Sequence, residues 1–569
     1  MDSMRITGLA SGMDTESMVR DLMKAERVRV DKYYQQKEID KWKQEQYNDI
    51  NKELANFVLD VSKEFGVSRR SYGSMISDTS SLNWVKKASS SDDTIFTANA
   101  TAKAVSGTHK IKVKQLAEGV SVGSKSEVLA GTSKATSSTK LSELGVNDGL
   151  ITFQINVDGT QKDVTVNFLA TDTIEDLVDK INSATTADGD ALGIQASFDD
   201  TSGRLFLSTK ETGNASQIKI TSDAENLFTG NSNKFKLLDE SDQAIFTIGT
   251  AVTGKDAQID FDGAVGITYS SNQFTINGID INLNALPTNT DTEYTIKVET
   301  DVDGVYNKIK SFVDKYNDLI DKLNKKVSEK RYRDFMPLTK EQKEAMNEDD
   351  IKLWEEKAKS GLLKNDDIIT RTIQNMRNGL YETVYKDGAT EALGVFSQLS
   401  QIGITTGEWK DKGKLVISDD PEKGLKAAIE KDVDAVLDLL FKPSSITKSD
   451  KDLTAEERET KRKESGLLNR LFDDIVTGMK DIVNKSGTGE NADLYRDVKS
   501  NILIDFVTNM GSISYLDKDI LNVEKSITRE EDRLEKIEDN YWRKFTAMEK
   551  ALSEMNSQSA WLMSQVGGM

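Results

Sequence analysis

From Leu516 to Leu562 the chain carries an apolar stripe at heptad spacing: Ile520, Ile527, Leu534, Tyr541, Met548, Met555 and Leu562. Leu516, Val523 and Ile537 fill the alternate step. After Tyr541 the companion row moves by one residue, to Phe545 and Leu552. A helix of 3.6 residues per turn drifts in this way against a 3.5-residue repeat. Between the stripe lie Lys, Arg, Glu and Asp, as on the wet faces of a coiled coil. No Pro interrupts the pattern, and Gly567 and Gly568 end it. A helix this long cannot bury its stripe alone, so the chain must supply or recruit a helical partner.

The other terminus offers one. Residues 4–12 read as an irregular apolar lead-in that includes Leu9. Asp14 is a good N-cap, with Glu16 in the first turn. A helix with Met18, Val19, Leu22 and Met23 on one side follows and is expected to run to about Phe65. Its second half is sharply periodic at Tyr47, Ile50, Leu54, Phe57 and Val61. Its middle, 32–46, is polar except for Tyr33, Tyr34, Ile39 and Trp42. Paired, two such long helices would form a stalk.

Everything between the two helices reads as an insertion. Alternating runs at 94–100 and 108–116 predict strands. Residues 118–140 are rich in Gly, Ser, Thr and Lys and predict a linker or loop. Strands at 151–157 and 164–168 flank an Asp158–Gly159 turn, and a short helix spans 173–183. Further strands are expected at 192–198, 204–208, 244–249, 257–261 and 273–283, the last folded at Asn277–Gly278. The helical period returns with Val305, Ile309, Phe312, Tyr316, Leu319 and Leu323. A capping box, Thr339 with Gln342, opens another helix. Short strands at 403–406 and 414–418 precede helix over 422–441. Residues 444–465 predict a charged loop, and 467–484 and 493–509 predict helices. The fold class is α+β multidomain: long terminal helices forming a coiled-coil leg, a mainly helical core domain and inserted β-rich head domains.

Composition removes several functions. The chain has 569 residues and no cysteine, which excludes disulfides, thiol catalysis and thiolate metal sites. Its formal charge is −20, and residues 121–300 hold 12 Lys+Arg against 26 Asp+Glu. Nucleic-acid binding needs a basic footprint instead. No run of 18 apolar residues exists, so membrane insertion is not expected. No basic-then-apolar leader opens the chain.

Motif matches fail on context. Gly119 to Gly123 fits G-x-S-x-G, but a polar linker follows the Ser and the only His, His109, lies upstream. Gly487 to Ala492 fits a dinucleotide fingerprint but follows a helix. Asp301–Gly304 and Asp260–Gly263 resemble calcium-loop starts, yet Lys310 and Tyr269 stand where the closing Glu belongs. His109 has no Cys or second His as co-ligand. No catalytic set, metal site or cofactor is expected, and the chain reads as a non-enzyme.

Particular stretches resemble a known family. Ile6-Thr7-Gly8-Leu9-Ala10-Ser11-Gly12-Met13-Asp14-Thr15 is similar to the opening of the bacterial flagellar filament cap family, flagellar hook-associated protein 2. Met555 to Leu562 resembles that family's C-terminus. Phe312 to Asn317 is similar to the family's first helix after the head, and Pro337 to Asp366 and the strand pair within 256–283 also resemble the family. Residues 181–220, with Thr212-Gly213-Asn214-Ala215, resemble a β motif shared by flagellin and hook-associated proteins.

The resemblance implies a non-enzymatic protein exported through the flagellar channel without a cleaved signal. It implies a ring-like homo-oligomer at the filament tip with flagellin as partner and an export chaperone before secretion. Carried onto this chain, it implies an N-terminal leg at 1–64 and a C-terminal leg at 506–569, which either order only when assembly offsets the entropy of ordering or form an ordinary intramolecular coiled coil. The helix-rich core would be 65–90 with 300–505, the inner β-rich head 91–120 with 252–299, and the outer head 121–251. Ring contacts would come from about 300–440. Leu9, Met18, Leu22, Tyr47, Ile50, Leu54, Phe57, Val61 and the seven heptad residues Ile520, Ile527, Leu534, Tyr541, Met548, Met555 and Leu562 would form the leg and its flagellin contacts. A competing reading is a stalked surface adhesin that binds host glycans or mucin through the β-rich head.

Overall fold

The computed structural model describes residues 14–67, 79, 82–157, 160–448, 452–498 and 513–566. Leu9, the turn at 158–159, residues 499–509 of the helix expected at 493–509, and Gly567–Gly568 lie outside the described residues. Two compact units result. One joins residues 1–79 to 302–569, and the other is residues 80–301.

The first unit is helical. Helix Thr15–Phe65 begins where the Asp14 carboxylate accepts from the Ser17 amide at 2.9 Å and stops at Gly66, φ 68°. Gly accepts that left-handed conformation without a Cβ clash. The periodic second half of this helix enters a bundle. Phe57 packs against Phe312 at 6.4 Å and Phe472 at 6.5 Å, and Phe65 against Phe441 at 5.0 Å. Helix Val302–Ser328 buries Val305, Ile309, Phe312, Tyr316, Leu319 and Leu323 on the stripe that their spacing sets. Helices Asp367–Tyr381 and Leu467–Ser486 meet at a small residue. A methyl group on Gly478 would stand 2.5 Å from the Thr372 side chain.

Two expectations for this unit are corrected. Residues 422–441 form two helices, Leu425–Lys431 and Val433–Phe441. Asp432 breaks them with an extended backbone and caps the second through the Ala435 amide at 2.9 Å. The stretch 444–465 contains helix Ala455–Glu464, opened by a capping box of Thr454 and Glu457. Its charges are partly structural. Glu464 is fully buried and accepts from Ser444 Oγ at 2.7 Å and from the Ser445 amide and hydroxyl at 2.9 and 2.8 Å. Arg470, also buried, donates to the carbonyls of Glu382, Thr383 and Lys463, and burial lowers its pKa to about 10.

The second unit is β-rich and has two cores. In the first, the five-stranded antiparallel sheet runs Lys86–Ser90, Tyr294–Thr300, Gly107–Gln115, Ala257–Phe261, Ala264–Tyr269. A three-stranded sheet of Gln273–Ile276, Ile279–Leu283 and Phe96–Ala100 completes it around Phe96, Val113, Ile259, Ile281 and Ile296. Asn277 and Gly278 turn the hairpin at φ 49° and 78°, the left-handed pair a two-residue turn requires. The second core gathers Phe153, Val166, Leu177, Leu207, Phe228 and Phe235. Its sheets are Ser121–Gly123, Arg204–Thr209, Ile194–Asp199, and Ala251–Thr253, Gln217–Asp223, Gly149–Val157, Thr160–Phe168. Helix Ile174–Ser183 adds Ile174, Leu177 and Ile181 to this core.

Here too the structure revises the reading. Within 118–140, short strands at Ser121–Gly123, Leu129–Ala130 and Ser133–Lys134 bury Val120, Val128 and Ala135 in the second core. Three apolar anchors, spaced too far apart for any periodicity, suffice to hold that segment. The expected strand 244–249 is irregular, with only isolated bridges at Ala244 and Phe246. The Asp223 carboxylate organises the neighbouring loop by accepting from the amides of Leu227, Phe228 and Thr229 at 2.8–2.9 Å.

Candidate functional site

The feature that organised the sequence is a helix pair. Tyr515–Val566 lies antiparallel to the first half of Thr15–Phe65. Gln44 Nε2 donates to Asp517 Oδ1 at 2.7 Å, Lys37 pairs with Glu524 at 2.7 Å, Arg29 with Glu530 at 3.3 Å, and Arg533 with Glu26 at 2.8 Å. As one number falls the other rises, which fixes direction and register. The Tyr34 hydroxyl donates to Glu531 at 2.5 Å, and this bond raises the phenol's pKa. The bond from Lys37 holds the Glu524 carboxyl below its usual range. Exposed ion pairs of this kind contribute only about 0–1 kcal/mol each, so they set register more than stability.

The seam between these charges is thin. Val19, Met23, Val30, Ile527 and Leu534 are buried in it, and Tyr33, Val523, Ile537, Tyr541, Trp542 and Phe545 flank it. Among the heptad residues, Ile527 and Leu534 are buried, Ile520, Tyr541 and Met548 half-buried, and Met555 and Leu562 exposed. From Lys550 to Ser564 every side chain but the half-buried Leu552 is exposed, including Trp561 and Met563.

The structure separates residues that the sequence reading put together. Met18 and Leu22 stand exposed, and the adjacent Val19 and Met23 make the seam instead. A helix has two candidate apolar edges here, and periodicity over one turn does not choose between them. Tyr47, Ile50, Leu54, Phe57 and Val61 are buried, but several contacts tie them to the helical bundle rather than the leg. Phe57 meets Phe312 and Phe472, and the Tyr47 hydroxyl donates to the Asp366 carboxylate. That bond and burial push the Tyr47 phenol far above its usual pKa, burial being the larger cause.

The polar middle of the N-terminal helix is continuous helix, and a segment outside the helix pair lies against it. Gln35 Nε2 donates to the Pro337 carbonyl and Gln46 Nε2 to that of Lys359, both at 2.8 Å. The Lys359 ammonium sits 5.1 Å from the ring centre of the buried Trp42. Amide side chains reaching backbone carbonyls leave no apolar period, so this contact gave no signal in the sequence.

Among the described residues no group of three His, Asp or Glu side chains is arranged to hold a metal ion, and no helix is long and apolar enough to cross a membrane. His109 serves as a cross-link. Its Nδ1 lies 2.6 Å from Asp262 Oδ2, its Nε2 lies 2.9 Å from the Val105 carbonyl, and its ring stacks on Phe261.

Known proteins match over nearly the whole length of the chain. Residues 254–557 match the family model "Flagellar hook-associated protein 2 C-terminus", and residues 11–119 match "Flagellar hook-associated protein 2 N-terminus". Residues 152–211 match "Flagellin hook IN motif". The flagellar hook-associated protein 2 of Halalkalibacterium halodurans is 30% identical over 98% of each chain. That of Thermotoga maritima is 23% identical over 99% of this chain and 96% of its own. The crystal structure of the flagellar cap protein FliD D1-D2-D3 domains from Escherichia coli aligns over 77% of this chain and 96% of its own, at 19% identity and a TM-score of 0.47.

Proposed function

The chain belongs to the flagellar hook-associated protein 2 family, and from that premise we propose that it caps the growing tip of the bacterial flagellar filament. The observation that carries this reading is the similarity to a curated member over 98% of both chains. In this role the protein works outside the cell as a ring-like homo-oligomer. It retains exported flagellin, gives each subunit a space in which to fold and insert, and so supports filament elongation and motility. Export proceeds through the flagellar channel, after binding by a chaperone in the cell.

The terminal helix pair serves as the leg. Its exposed distal stripe, Met555 and Leu562 with Trp561 and Met563, is the surface offered to flagellin. An apolar stripe left open at the end of a charged helix supports that assignment, because burial against a partner helix would stabilise the complex by about 25 cal/mol per Å² of apolar surface. The helical bundle supplies ring contacts, and the two β cores are the inner and outer parts of the head.

Immunogold labelling of a tagged chain on sheared and regrown filaments tests the reading. Label confined to the distal tip supports it. Label along the filament or on the cell body overturns it.

A further inference from the structure

The helical unit carries a cluster of cations and aromatic rings in a molecule of net negative charge. From Lys322 to Asp334 six basic side chains stand against two acidic ones, Glu329 and Asp334, and the helix Glu348–Lys359 beside them opens on Glu348, Asp349 and Asp350. The whole chain is at −20. Lys325, Lys330 and Arg333 are exposed and, among the described residues, have no ion-pair partner. Three aromatic rings lie directly beside them. Phe335 packs on Trp354 with ring centres 4.6 Å apart and on Tyr332 at 6.1 Å. The Lys330 ammonium lies 4.7 Å from the Tyr332 ring centre. The cluster is fixed: Trp354 Nε1 donates to the Met336 carbonyl at 2.8 Å, and the Arg331 guanidinium reaches the Ser360 carbonyl at 3.2 Å. Leu353, 58% exposed, extends the apolar area.

Ordered aromatic rings rimmed by unpaired cations have the composition of a protein-binding hot spot. A closed ring requires heterologous contacts, in which two different surfaces of each copy meet. The β-rich unit holds the opposite charge balance: residues 121–300 have 12 Lys+Arg against 26 Asp+Glu. Self-association between molecules of net charge −20 is opposed by repulsion unless the contact itself joins opposite signs.

We propose that the surface formed by Lys325, Lys330, Tyr332, Arg333, Phe335 and Trp354 docks on the acidic β-rich unit of a second copy of this chain. This inference rests on the self-assembly proposed above and identifies one of its two faces.

Sedimentation of the full chain across a concentration series tests it. Three forms are compared: the native chain, Lys330→Glu/Arg333→Glu, and Lys386→Glu/Lys410→Glu, which makes the same change in net charge elsewhere on the helical unit. The native chain is expected to associate, more weakly at high salt. The first double variant is expected to associate about tenfold more weakly, and the second like the native chain. A Phe335→Ala variant with intact far-ultraviolet dichroism is expected to show the same loss by removing apolar contact rather than charge. Association by Lys330→Glu/Arg333→Glu equal to the native chain overturns the docking surface while leaving self-assembly standing. A native chain monomeric at every concentration overturns both. Normal association of that variant with lost binding to flagellin assigns the surface to flagellin and overturns the second-copy partner.

Discussion

Gln44 and Asp517 are 473 positions apart in the chain, yet the amide of one donates to the carboxylate of the other at 2.7 Å. The same amide nitrogen lies 3.3 Å from the Ser486 carbonyl, at the end of a bundle helix. This point joins the first helix, the last helix and the bundle. On one side of it the N-terminal helix pairs with the last helix, and on the other it enters the bundle core.

That division predicts two different mutational responses. Phe57→Ala should destabilise the helical unit by about 3–5 kcal/mol, because it removes a ring lodged against Phe312 and Phe472. Met18→Ala, on the exposed face, should change stability by no more than about 0.5 kcal/mol. Denaturant unfolding of the two variants distinguishes them, and equal losses would contradict the division.

The seam should respond separately. Ile527→Ala with Leu534→Ala deletes the two buried heptad side chains, each worth about 2–3 kcal/mol at the lower end of the range for such truncations. Hydrogen exchange should accelerate in the paired parts of both terminal helices and remain unchanged in Val302–Ser328. Protection retained in the pair would show that the seam is not what holds it.

Asp223→Ala should be among the most damaging changes in the β-rich unit. The carboxylate is buried and receives three backbone amides and the Thr229 hydroxyl. Its loss leaves those donors unsatisfied, at about 1–3 kcal/mol for each donor that finds no water. Thermal unfolding followed through that unit should shift strongly downward, and Asp223→Asn should recover part of the loss.

His109 makes stability depend on pH. Burial alone would lower its pKa, but the bonds to Asp262 and to the Val105 carbonyl prevail and raise it above the ordinary value of 6.5. A folded-state pKa above the unfolded one contributes stability that is fully present below about pH 6.5 and is lost as pH rises through the folded value. Urea midpoints of the native chain should therefore fall relative to those of His109→Gln as pH increases above 6.5. A constant difference between the two across that range would contradict the clasp.

The sequence was legible where one periodicity ran long enough. The stripe from Val305 to Leu323, the heptads at Ile527 and Leu534 and the Asn277–Gly278 turn all stand as read. It was illegible where single polar groups decide the structure. Glu464 and Arg470 are buried charges whose partners are backbone groups and serines distant in the chain, so no local pattern marks them. Strand Ala264–Tyr269 carries no buried run of its own and exists through the neighbour it pairs with, whereas Tyr294–Thr300 alternates Tyr294, Ile296 and Val298 with polar residues and was legible as a strand. The choice of Val19 over Met18, one residue apart, depends on the angle at which the last helix approaches.

The most direct test of the capping role is a clean deletion of the gene, with flagellin measured on cells and in the medium. Cells without filaments and monomeric flagellin shed into the medium are expected, both reversed by the intact gene. Filaments of normal length on the deletion strain would contradict it.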